Sequence, residues 1–149
     1  MEEQTMEVQT VEEQTTGCLV CGAPLEYLQS QIEMECTYCH KTFMSNARCV
    51  NGHFICDSCH EQMGLRVIED ICRHTDSKDP VAIMKKIILS PYIYMHGPEH
   101  HVLVGSALLA AYKNAGGELD LDAALEEMRN RGAQVPGGIC GLWGTCGAA

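Results

Sequence analysis

Eight cysteines and histidines of this chain stand at spacings that suit metal coordination. They read Cys18-x2-Cys21, fourteen residues, Cys36-x2-Cys39, nine residues, then Cys49-x3-His53-x2-Cys56-x2-Cys59. Two cysteines separated by two residues present both thiolates from one tight turn, whose backbone amides can stabilise the sulfurs. Thiolate and imidazole suit zinc, which takes four ligands in a tetrahedron. Eight ligands therefore predict two structural Zn2+ ions, and they leave no open coordination position of the kind a catalytic zinc keeps. His40 and His60 directly follow ligand cysteines and are expected to be exposed neighbours rather than substitutes.

The stretch from Cys36 to Cys59 resembles the first six ligands of a RING finger, including the run Gly52-His53-Phe54-Ile55-Cys56. In that family the first and third ligand pairs share one zinc and the second and fourth share the other. This chain departs from the pattern, because no pair follows Cys59 to close the set. Cys18 and Cys21, upstream, would have to supply it. The resemblance then implies Cys36, Cys39, Cys56 and Cys59 on one ion and Cys18, Cys21, Cys49 and His53 on the other, the former in a treble-clef arrangement at a helix N-terminus. A sequential ribbon, with Cys18 to Cys39 on one ion and Cys49 to Cys59 on the other, stays open. The interleaved arrangement is favoured, because four ligands inside eleven residues leave little chain to close around a metal. The missing closing pair weakens any ubiquitin-ligase reading.

Three cysteines lie outside this set, Cys72, Cys140 and Cys146, with His74, His96, His100 and His101. Cys140 and Cys146 form a near-repeat, Gly138-Ile139-Cys140-Gly141 and Gly144-Thr145-Cys146-Gly147, around Trp143. Glycine on either side lets another group approach the backbone and leaves a thiol accessible. The cluster His96-Gly97-Pro98-Glu99-His100-His101 would supply a base. The resulting expectation is thiol redox or thiol-transfer chemistry at Cys140 and Cys146, with His96, His100 or His101 assisting, or a third metal near His96, His100 and Cys140. The plainer account has the histidines lining a helix and the glycines making a turn. Cys72 lies on an apolar helical stripe and is expected in the core.

The elements that must position these residues follow from periodicity and capping. Residues 1–16 begin with three acidic pentamers, MEEQT, MEVQT and VEEQT, which predict a disordered tail. Residues 17–60 form the two-zinc module. From 61 to 134 the chain predicts an all-α bundle. A first helix, entered at Asp57, carries Met63, Val67, Ile68 and Ile71 to about Thr75. Asp79-Pro80 is an N-cap followed by proline at the first helical position. Gly97-Pro98-Glu99 opens a third helix, thin with glycine and alanine, that ends at Gly116-Gly117; Asp120 caps a fourth that Gly132 closes. Residues 135–149, VPGGICGLWGTCGAA, are a Gly/Cys-rich motif that reads as the entry to a further helix and suggests a shortened chain. The fold class expected is a small zinc-stapled module of zinc-ribbon, treble-clef or RING-like type followed by a helical bundle.

The formal net charge is −10 over 149 residues. With no basic run, nucleic-acid binding is disfavoured. No segment reaches the roughly 18 apolar residues that a membrane span requires, and the start lacks a secretory signal. The cysteines are then metal ligands and thiols in a reducing cytoplasm rather than disulfides. The whole arrangement from CLVCGAPLEYL to MHGPEHHVLVG and PGGICGLWGTCGAA resembles an uncharacterised prokaryotic zinc-ribbon family common in anaerobic bacteria and methanogenic archaea. That resemblance spans residues 17–149 and implies an anaerobic cytoplasmic setting, with no activity attached. Beside the thiol reading stands a non-catalytic zinc-finger adaptor whose partner is another protein.

Overall fold

The computed structural model describes residues 17–93 and 97–144, so the predicted acidic tail lies outside the described residues. The first part is a hairpin. Strand β1 (Leu25–Glu35) pairs antiparallel with β2 (Thr42–Cys49), in a register running from Leu25 opposite Cys49 to Glu35 opposite Thr42. The ladder is interrupted between Tyr27 and Ile32, where the Ser45 hydroxyl on β2 accepts from Ala47 N–H at 3.1 Å. Most strand positions of the hairpin are exposed, and of these only Met34 and Cys49 are buried. An isolated two-stranded sheet is marginal in water, so its order must come from what is tied to its ends. Thr37 N–H donates to the Phe54 carbonyl at 2.8 Å, docking the segment after β2 onto the hairpin turn.

Among the described residues five helices follow: α1 (Asp57–His74), α2 (Pro80–Ile88), α3 (His100–Asn114), α4 (Leu121–Gly132) and the short α5 (Ile139–Trp143). The caps act as the sequence predicts. The Asp79 carboxylate accepts from Val81 N–H at 2.9 Å and Asp120 from Ala123 N–H at 3.2 Å, each satisfying an orphan donor of a first turn. Leu65, Ile68 and Cys72 on α1, Ile83 and Ile87 on α2, Val102, Leu103, Ala107 and Ala110 on α3, and Leu121 with Leu125 on α4 share one buried core. The small residues of α3 allow close approach, since a Cβ at Gly105 would collide with the Met128 sulfur.

Helix α4 ends at Gly132 as expected, and Ala133 follows in right-handed geometry. Gly132 is needed because a Cβ there would strike the Val102 side chain. The glycine-rich motif is not merely the approach to a helix. It contains α5, bounded by Gly138 at φ 75° and Gly144 at φ 70°, left-handed values that favour glycine. Among the described residues, helix α5 makes no close contact with another helix or strand.

Candidate metal centre

The hairpin register gathers the ligands. The first Cys-x-x-Cys turn precedes β1 and Cys49 ends β2, so the Leu25–Cys49 pairing brings Cys18 and Cys21 to Cys49 and His53. The second turn joins the strands at the other end of the hairpin, where Cys36 and Cys39 meet Cys56 and Cys59 at the start of α1. Within each group the four candidate ligand atoms all lie within 4.8 Å of one another. This grouping is the interleaved arrangement and not the sequential one.

The separations fit a tetrahedral ion. With zinc–sulfur bonds near 2.3 Å and zinc–nitrogen bonds near 2.0 Å, sulfur–sulfur edges of roughly 3.8 Å and sulfur–nitrogen edges of roughly 3.5 Å are expected. The Sγ atoms of Cys21 and Cys49 are 3.9 Å apart, those of Cys39 and Cys56 3.8 Å, and Cys49 Sγ lies 3.4 Å from His53 Nδ1. These sulfur separations are far beyond the ~2.05 Å of a disulfide. Backbone amides point at the sulfurs: Val20 N–H donates to Cys18, His53 N–H to Cys49 and Cys56 N–H to Cys36, each at 3.3 Å. The Asn51 side-chain amide also donates to Cys21 Sγ at 3.5 Å. Sequence reading missed Asn51, though its place between Cys49 and His53 was a signal.

The electrostatics of both groups call for a cation. The Ala23 amide, the Asn51 side chain and neighbouring ligands bring the Cys21 thiol down to about 6. At Cys36 burial pushes upward, but the amides of Cys56, Cys39 and Tyr38 outweigh it and also bring the thiol to about 6. Burial and the surrounding sulfurs push Cys59 up to about 12, and burial raises Cys18 and Cys56. Once one thiolate forms in such a cluster its neighbours resist ionising. A bound cation would let all four ligands of a group stay deprotonated together.

A family model describes residues 68–149, more than half of the chain. The chain belongs to that family, DUF5714, a family of unknown function. No curated protein and no solved structure matches it. All eight candidate metal ligands lie upstream of the DUF5714 segment, whereas Cys72, the His96–His101 cluster and the Gly/Cys-rich motif lie within it.

In the DUF5714 segment Cys72 is buried in the helical core, and burial pushes its thiol up to about 11. Cys140 is exposed on α5. His100 and His101 stand on the first turn of α3, half-buried, and His101 Nδ1 is buried without a hydrogen bond. Since α5 does not pack on α3, the structure does not bring Cys140 to His100 or His101. His96 and Cys146 lie outside the described residues, and with them the full expected third-metal set and the Cys140–Cys146 pair. Among the described residues no group of three or more candidate ligands includes His100 or Cys140. Of the two histidines beside ligands, His40 is exposed and bonded through Nδ1 to Glu35 at 2.9 Å, whereas His60 is half-buried, contrary to expectation.

Proposed function

We propose that residues 17–60 bind two structural zinc ions in a treble-clef-like module, and that the chain is a zinc-stapled binding protein whose partner is another protein. The observation that carries this reading is the closure of both ligand groups. Four donors at tetrahedral spacing surround each centre, which leaves no place for a reacting water. Thiolate and imidazole donors favour zinc over the hard cations. Exposed apolar side chains stand around the knuckles and hairpin, among them Tyr38, Met44 and Val50, and such side chains suit a protein contact. The charge of −10 disfavours nucleic acid. A reducing, cytoplasmic setting suits a module of free thiols. Native mass spectrometry of the intact chain tests the metal reading: two zinc ions per chain are expected, and a chain that retains its fold while binding none, or one that binds iron instead, overturns it.

The exposure of Cys140 between Gly138 and Gly141 favours a second reading. In it the Cys140 thiolate attacks a disulfide of a partner, releasing one partner thiolate, and Cys146 then resolves the mixed disulfide and releases the other, leaving Cys140–Cys146 oxidised. A histidine from His96, His100 or His101 would take a proton. Thiol titration of the zinc-loaded protein separates the readings, because two zincs with Cys140 and Cys146 unreactive and unable to pair excludes thiol chemistry.

A further inference from the structure

A cavity of about 490 Å³ lies between the metal-binding module and the start of α3. Leu25, Phe54 and Ile55 give it an apolar wall, and Gly97, Pro98 and Glu99 belong to its other side. Asp57, His60 and Glu61 also line it. These three are one stripe of α1, which continues one turn on at Gly64.

Glu99 is the unusual member. It is 1% exposed, and both carboxylate oxygens are buried with no hydrogen-bond partner among the described residues. The surroundings are shaped to hold it. A Cβ at Gly64 would lie 3.2 Å from Glu99 Cγ, and one at Gly97 would collide with the carboxylate itself. Two glycines from distant segments thus make room for one buried acid. A buried carboxylate is costly unless a donor or counter-charge meets it. His60 on the same wall interacts electrostatically with Glu99, and the guanidinium on the wall, Arg48, is engaged by Glu26 at 2.7 Å.

We infer that this cavity binds a small organic cation, a protonated primary amine on an apolar body, with Glu99 as its anchoring carboxylate. Asp57 and Glu61 add negative charge along the same wall, which attracts a cation. An ammonium brings three donors of its own and needs only acceptors. A metal ion fits less well, because among the described residues no group of three candidate ligands includes Glu99. The volume falls within the ~300–1,000 Å³ usual for small-molecule sites. The inference rests on the zinc reading in one respect, since Cys18 and His53 line the cavity and the loaded module must form its wall.

The test uses the full chain with its metal content measured first. In calorimetric titration benzylammonium should bind one to one, and benzyl alcohol and benzoate should bind at least about tenfold more weakly, as loss of a charge-assisted hydrogen bond implies. Glu99→Gln should weaken benzylammonium by a similar factor while keeping metal content and helicity, and its melting temperature should equal or exceed that of the parent. Equal binding of the amine and the alcohol, or no binding of the amine to a chain carrying two zincs, overturns this inference alone. A third zinc that is lost in Glu99→Gln assigns the carboxylate to a metal and overturns it too. A Glu99→Gln chain that melts several degrees lower shows a structural role instead. A chain without zinc counts against the metal reading, not against this one, and the amine titration is then read on cobalt-loaded protein, where the same outcomes decide it.

Discussion

At Cys56 a single residue joins two functions, since its sulfur belongs to one ligand group while its backbone amide donates to Cys36 Sγ as the chain enters α1. Cys56→Ala should therefore release one of the two zincs and disorder the hairpin, whereas Cys140→Ala should leave both zincs and the fold unchanged; metal analysis with hairpin amide exchange checks the pair. Cys72 makes a different prediction. Its folded thiol is raised from 9.0 to about 11 by burial, so only the unfolded chain ionises it between those values. Stability contributed by the neutral thiol is full below pH 9 and is lost as pH rises toward 11, by at most about 3 kcal/mol at ~1.4 kcal/mol per unit. Comparing denaturant unfolding of the parent and Cys72→Ala from pH 8 to 11 should show a shallower alkaline loss in the variant. Residue types and spacing revealed both roles. They did not reveal Glu69, a buried carboxylate on α1 that pairs with Arg73 on its own helix and with Arg129 of α4. Charged positions look alike in sequence until the fold chooses which to enclose.

At the scale of elements, capping carried most of the legible information. Asp79-Pro80 and Asp120 were readable because a side-chain acceptor before a first turn has a local physical reason, and both bonds are present. Asp79→Ala should cost about 1 kcal/mol, read from the denaturation midpoint. The ends of helices depended more on context. Gly116, at φ 102°, ends α3 as its residue type suggested, but Gly132 serves packing against Val102. Gly132→Ala should accordingly destabilise the helices by about 1–3 kcal/mol through overpacking, despite alanine's better helix propensity. The hairpin strands were less legible, since their exposed positions carry little alternation of apolar and polar residues and few of their side chains are buried.

For the whole molecule, two parts gain stability by different means. The hairpin has few buried side chains outside its ligands, while α1 to α4 enclose a continuous apolar core. Chelation of the zinc-loaded chain should therefore abolish hairpin order, yet leave most helical circular dichroism and a cooperative thermal transition; loss of all helicity with the metal would show one cooperative unit instead. Among the described residues no helix is long and apolar enough to cross a membrane.

The sequence by itself determined the metal ligands as a set, the starts of the helices and the apolar stripe that becomes the core, because each rests on residues close together in the chain. Tertiary structure decided which ligands share a centre, since the β1–β2 register and the return of the chain at Phe54 bring distant pairs together. Among the described residues it also gives α5 no close contact with the other elements, so nothing in the fold draws Cys140 to His100 or His101. Above all it enclosed Glu99. Two glycines, thirty-three positions apart, vacate the space for that carboxylate, and no local pattern encodes such a meeting.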